Sequence, residues 1–206
     1  MRNQNNTDLT RPVDSGRRNA LIKGAGLVAA FGAAPAVVAQ SGRDYGIEGH
    51  SAPEIELDYW IDKNGDQAEF SVMDNRGKWV FLKCFQNWCP GCHSSGFPAL
   101  QKFSAAFHDH PQVAIAGIQT VFEGFGTNTQ ADVRKLQKRY DLPIIMGHDP
   151  GDRNDPNGDH RSQTMKLYRT GGTPWLIVID PEGTVVYNHF RVNVEKLIEH
   201  IQTDLA

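Results

Sequence analysis

From residue 79 to residue 85 the chain is almost unbroken apolar, Trp-Val-Phe-Leu-Lys-Cys-Phe, as expected of a strand buried on both faces. Beyond it the apolar positions take helical spacing. Phe97, Leu100, Phe103 and Phe107 share one face and predict a helix over 89–108, which Pro98 should kink. Residues 113–118 read as a third core strand. Thr129-Gln130-Ala131-Asp132 has the form of a capping box opening a helix to Tyr140, and 141–146 returns as a short extended piece. Residues 175–179 and 185–187 pair as a hairpin around Asp180-Pro181-Glu182-Gly183, and a terminal helix covers about 193–201. Ahead of the buried strand, a flexible opening (41–53) leads to a strand at 55–61. An Asn64-Gly65 turn and a second strand near 69–73 follow, and Asn75-Arg76-Gly77-Lys78 turns into strand 79–86. Two strand–helix–strand units, then a hairpin and a helix, predict an α/β sheet of mixed strand direction. No internal repeat interrupts this order.

The first 39 residues follow a different pattern and are set apart from the fold. A polar stretch reaches Gly16-Arg17-Arg18, a Gly/Ala-rich weakly apolar run follows, and small residues at Val37 and Ala39 suit cleavage before Gln40. The paired arginines resemble a twin-arginine export signal. An ordinary secretory signal or an uncleaved anchor is the competing reading, since the run could nearly span a bilayer. No second apolar segment is that long. Without residues 1–39 the chain loses five Lys/Arg and two Asp/Glu, leaving 16 basic against 22 acidic residues and a formal charge of −6. That balance argues against nucleic acid or anionic lipid as a partner. One domain of the remaining size buries a sufficient core without extra cross-links.

The candidate chemistry lies where the buried strand gives way to the helix, at Trp88-Cys89-Pro90-Gly91-Cys92-His93. Two cysteines one turn apart can close a reversible disulfide. At a helix N-terminus a thiolate is favoured by the helix dipole and by backbone N–H donors. Cys-x-x-Cys-His is also the attachment signature of c-type haem, and Cys-x-x-Cys can supply half a zinc site, although no second half follows. Strand-then-helix context and the flanking Trp88 and Pro90 favour the redox dithiol. The third cysteine, Cys84, falls mid-strand and should be buried.

The Trp-Cys-x-x-Cys junction, Gly172-Thr173-Pro174 before an apolar strand, and Ile179-Asp180-Pro181-Glu182-Gly183 in the hairpin occur in an order that is informative as a set. Together they resemble the exported thioredoxin-fold thiol–disulfide oxidoreductases of the TlpA/ResA-like group, over roughly residues 46–204. Residues 121–146 resemble the insertion that separates that group from plain thioredoxin. The resemblance implies a thioredoxin-like domain over 40–206. Its mixed central sheet would be flanked by helices, with an N-terminal β-hairpin and a helix–strand insertion. It also implies that Pro174 is a cis-proline facing the cysteines, with Thr173 offering backbone groups to an extended substrate. Cys89 would be the exposed attacking thiolate and Cys92 the buried resolving thiol, with Trp88 packing beside Cys89 or serving only as a core aromatic. Protein thiols and disulfides would be the substrates, reduction the direction, a membrane thiol donor the electron source, and no cofactor beyond the disulfide would be needed.

The chain departs from that pattern at the proton-handling positions. Thioredoxins carry a buried aspartate six residues before the first cysteine; here Lys83 stands there. A buried amine serves as a base when neutral or lowers a thiol pKa when charged, while a lysine snorkelling to solvent does neither. The ResA-like glutamate three residues after the second cysteine is replaced by Ser95, and Glu123 is a candidate to compensate. His93 reads as an ordinary polar helix residue, a thiolate partner or a haem ligand. The acid-rich run 149–159, between His148 and His160, lacks the Asp/Asn spacing of a calcium loop and is expected to be a solvated, mobile loop. A peroxidatic cysteine is preceded by proline at minus seven and Thr/Ser at minus three. Those positions hold Leu82 and Gln86 before Cys89, and Phe85 and Cys89 before Cys92, so peroxidase chemistry is not expected. A copper-carrying module using Cys89, Cys92 and a histidine is the non-enzymatic alternative.

Overall fold

The computed structural model describes residues 45–206, so the export-signal reading of 1–39 lies outside the described residues. Six strands form one sheet: β1 (Trp60–Ile61), β2 (Trp79–Phe85), β3 (Val113–Thr120), β4 (Ile145–Asp149), β5 (Trp175–Ile179) and β6 (Val185–His189), in the order β1-β4-β3-β2-β5-β6. β2, β3 and β4 run parallel, and β1, β5 and β6 each run antiparallel to their neighbours. The helices are α1 (Phe97–Phe107), α2 (Gln130–Arg139), α3 (Gln163–Leu167) and α4 (Val194–Asp204). Among the described residues no helix is long and apolar enough to cross a membrane.

Strand alternation divides the core into two layers. Phe81 and Phe85 face α1, α2 and α4, where Phe97, Leu100, Phe103, Val133, Leu136 and Ile201 are buried. Val80, Leu82 and Cys84 point the other way, into a layer with Ile55, Trp60, Ile118, Tyr168 and Trp175. Lys83 shares the parity of Phe81 and Phe85 and so projects to the α1 side. The parallel β2–α1–β3 crossover then sets the amino end of the α1 helix over the carboxyl end of β2.

Several expected elements hold. The capping box forms, with Thr129 N donating to Asp132 Oδ2 at 3.0 Å, and Asn193 Oδ1 accepts from Lys196 N at 3.0 Å to start α4. Elsewhere the structure corrects the expectation. The strand at 55–61 shrinks to Trp60–Ile61, which pair with Gly147 and Met146 of β4, with one further bond from His148 N to Tyr59 O at 3.0 Å before the chain turns away at Asp58. The strand near 69–73 does not form. The Glu54 carboxylate collects the Val72 and Met73 N–H groups and the Ser71 hydroxyl instead, and a 3-10 turn (Met73–Asn75) follows. Burial opposes ionisation of Glu54, but these hydrogen bonds outweigh it and hold the carboxyl below its ordinary pKa. The N-terminal hairpin is thereby reduced to the Asn64-Gly65 turn and one bridge between Ile61 and Gln67. The opening stretch is not loose from residue 45 onward: Gly49 N and Ala52 N each donate at 2.8 Å, to Val185 O and Gly183 O, beside β6.

Helix α3 was not expected; buried Asp149, at the end of β4, accepts the Gln163 and Thr164 N–H groups at 3.1 and 2.7 Å and caps it. The acid-rich run is a largely exposed loop, as expected, in which Asp152 and Asp155 accept backbone N–H groups two residues on.

Candidate active site

Residues 86–89 turn from β2 into a helix that begins at Pro90. Cys89 Sγ sits at that helix start, accepting from Cys92 N at 3.2 Å and donating to Thr173 O at 3.4 Å. All three cysteines are free thiols in this structure. Cys89 is only 5% exposed, because the Thr173 loop closes over it; the expectation of an openly exposed thiol is corrected. Cys92 is fully buried, and burial pushes its pKa up to about 12. Burial also raises the Cys84 thiol far above its ordinary range, which suits a core residue and not a nucleophile.

The Thr173–Pro174 peptide is cis, and the Pro174 ring rests on two glycines of the cysteine helix. A Cβ at Gly91 would lie 3.1 Å from Pro174 Cδ, and one at Gly96 would lie 2.9 Å from Pro174 Cβ. Gly96 closes a π-helical turn (Cys92–Gly96) that precedes α1. The irregularity expected at Pro98 is therefore placed one turn earlier, with Pro98 inside the first turn of α1, where its missing N–H costs least. Ser95 uses its hydroxyl on Gly91 O at 2.9 Å.

Beneath this turn lies Lys83, 2% exposed, which overturns the snorkelling reading. Its neighbours in the sheet are Gly117 and Leu176, and its Cε is 3.5 Å from the Cβ position of Gly96. Burial lowers its pKa to about 8, although the nearby cysteines work in the opposite direction.

Trp88 is 44% exposed and lies against the loop that follows β3. Its Nε1 donates to Gln86 Oε1 at 2.6 Å and is 2.8 Å from the Cβ position of Gly124. Buried Asn128 ties the same region together: Nδ2 donates to Gln86 Oε1 at 3.1 Å and to the Glu123 and Gly124 carbonyls, while Oδ1 accepts from Asn87 N at 2.7 Å. Glu123 thus reaches the site through its backbone; its side chain is exposed on the loop. His93 has both ring nitrogens engaged, with Nε2 2.6 Å from Asn87 O and Nδ1 2.6 Å from the Tyr140 hydroxyl. The carbonyl cannot donate, so Nε2 carries a proton. Among the described residues no three His, Cys, Asp or Glu side chains are placed to hold a metal ion.

The structure therefore brings Trp88, Cys89, Cys92, Thr173, Pro174 and Lys83 together and leaves only the Glu123 carboxylate outside. Sequence reasoning missed Gln86, Gly96, Asn128 and Tyr140. Gly96 carried a usable signal, as a glycine inside a helical pattern that costs ~1 kcal/mol and needs a packing reason.

A strand-to-helix dithiol faced by a cis-proline loop, on a mixed sheet with helices on both sides, defines a thioredoxin-fold thiol–disulfide oxidoreductase. The model of the AhpC/TSA family matches residues 49–188, and the chain belongs to that family. It is similar to the thiol-disulfide oxidoreductase ResA of Bacillus subtilis (strain 168), 26% identical over 148 residues that cover 71% of this chain and 69% of that protein. The thioredoxin-like protein YneN of the same organism is 25% identical over 162 residues, covering 77% and 81%. A solved thioredoxin-like superfamily protein is 31% identical with a TM-score of 0.65, covering 74% of this chain and 94% of its own. A thiol-disulfide isomerase from Corynebacterium glutamicum is 30% identical with a TM-score of 0.61, covering 74% and 95%. The TlpA/ResA-like resemblance read from the motifs stands.

Proposed function

We propose that the protein is an exported reductant of protein disulfides that acts through the Cys89–Cys92 pair. Cys89 attacks a substrate disulfide and forms a mixed disulfide, and Cys92 then displaces the reduced substrate and closes the internal disulfide. Thr173 and Pro174 hold the substrate backbone beside Cys89, and Trp88 borders the entrance. A membrane thiol donor returns the electrons, the twin-arginine-like segment exports the chain, and the reaction needs no resident cofactor. The observation that carries this reading is the position of Cys89 Sγ at the helix start, 3.2 Å from Cys92 N and 3.4 Å from Thr173 O. Similarity to ResA supports the chemistry but not its direction.

The decisive experiment equilibrates the purified protein with glutathione buffers and follows tryptophan fluorescence. A reductase gives a two-electron midpoint near or below about −220 mV. A midpoint towards about −120 mV reverses the direction and makes the protein an oxidase. A Cys89→Ser variant that still reduces insulin removes Cys89 from the chemistry. A covalent Soret band or stoichiometric copper binding replaces the reading with the haem or copper alternative.

A further inference from the structure

We propose that Lys83 is the base that takes the proton from Cys92 as Cys92 displaces the substrate sulfur from Cys89. The inference rests on the dithiol reading above and adds the group that makes its second step possible.

The need for a base follows from the site. Cys92 is a fully buried thiol held protonated by its surroundings, with its pKa pushed up to about 12, so at neutral pH it is a poor nucleophile until something accepts its proton. The buried acid expected for that task in a thioredoxin is absent from position 83, and the Glu123 carboxylate is exposed on its loop.

The geometry points to the lysine. β2 alternation sends Lys83 to the α1 side, the side on which Cys92 is buried. Its Cε reaches 3.5 Å from the Cβ position of Gly96, which closes the turn that starts at Cys92. Three elements pack around it. The helix contributes the Cys89 and Cys92 thiols, and β3 and β5 contribute Gly117 and Leu176, which do not titrate; the Cys84 thiol of its own strand lies on the opposite face of the sheet. The cysteines favour the charged amine, but burial outweighs them. With its pKa lowered to about 8, a usable fraction of the amine is neutral near physiological pH.

The step balances without a further reagent. In the mixed disulfide, Cys92 Sγ passes its proton to neutral Lys83 Nζ as it attacks Cys89 Sγ; the Cys89–Cys92 bond forms, and the bond from Cys89 to the substrate sulfur breaks. The substrate leaves as a thiolate with the bonding electron pair. The Lys83 ammonium afterwards returns a proton to the departing thiolate or to water. In the reverse direction the ammonium protonates Cys92 as it leaves.

The test is stopped-flow reaction of the reduced protein with 5,5′-dithiobis(2-nitrobenzoate), which releases one coloured thiolate when Cys89 attacks and a second when Cys92 resolves the adduct. In the wild-type protein the second release should quicken with pH and level off near pH 8. In Lys83→Met the ratio of second to first rate should fall by ~10²-fold, in the range of general-base contributions. Lys83→Arg should fall as far, because a guanidinium cannot accept the proton. A second rate that Lys83→Met leaves unchanged overturns the proposal. So does full retention in Lys83→Arg, which would reduce the role to positive charge. If either variant fails to fold, the wild-type profile still decides: a second rate climbing steadily through pH 9.5 shows Cys92 ionising unaided. Loss of the first release from the wild-type protein refutes the dithiol reading itself and not the role of Lys83.

Discussion

Gly96 and Pro174 meet at a distance that excludes any side chain between them: a Cβ on Gly96 would be 2.9 Å from Pro174 Cβ. The contact joins the turn that carries Cys92 to the loop that closes over Cys89. A glycine is required here by close approach and not by backbone conformation, since its φ of −64° and ψ of −55° are helical.

Gly96→Ala should therefore destabilise the fold even though alanine favours a helix. Overpacking costs about 1–3 kcal/mol, and the helical gain of alanine offsets roughly 1 kcal/mol. Urea unfolding should show a net loss of up to about 2 kcal/mol, together with slower Cys92 resolution as Pro174 is pushed from the helix. An unchanged or higher midpoint would mean that the loop yields without cost.

Sequence made the sheet and the dithiol legible because both are local signals. An unbroken apolar run, helical spacing after it and a Cys-x-x-Cys at the junction each need only a few consecutive residues. What escaped depends on partners far along the chain. Nothing in residues 69–73 announces that Glu54 will take their N–H groups, and nothing near Gln86 announces Asn128, 42 residues on. Lys83 was legible as an anomaly in a buried strand. That it stays buried could not be read, because this depends on the glycine beside it in β3 and the helix turn above it.

Asn128 is the polar hub of the candidate site, and Asn128→Ala should be costly for a loop residue. The substitution leaves the Asn87 N–H without its acceptor and the Glu123 carbonyl without its Asn128 donor, while the Gly124 carbonyl keeps Thr127 N at 2.9 Å. Removing one side of buried hydrogen bonds costs about 1–3 kcal/mol per stranded group, partly recovered by water at this edge. Thermal unfolding should report a loss near 2–3 kcal/mol, and a loss below about 0.5 kcal/mol would show that the network is not formed.

The His93–Tyr140 contact separates ring packing from hydrogen bonding. The Tyr140 ring stacks on Phe97 with centroids 4.2 Å apart, and its hydroxyl meets His93 Nδ1 at 2.6 Å. Tyr140→Phe keeps the stack and should cost about 1 kcal/mol. His93→Ala also strips the bond to the Asn87 carbonyl and should cost about 2–3 kcal/mol. A double-mutant cycle should return coupling of roughly 1 kcal/mol, and coupling near zero would remove the hydroxyl bond from the account.

Burial of Lys83 makes the stability of the protein depend on pH in a direction opposite to that of its thiols. The amine has a pKa of about 8 when folded against an ordinary value of 10.5. Below pH 8 both states carry the charge, and the folded state bears the full cost of burying it. Between those values the unfolded chain keeps a proton that the folded one has lost, so stability rises with pH. Cys84 and Cys92 titrate above their ordinary value when folded, so their contribution falls once the pH passes about 9 in the unfolded chain. Comparison with Lys83→Met cancels most of the thiol effect. The variant should be the more stable protein at pH 7, and its advantage should shrink by roughly 2 kcal/mol between pH 8 and 9.5. Urea midpoints at the two pH values measure this directly. Parallel curves for the two proteins would mean that Lys83 is as charged in the fold as it is in water.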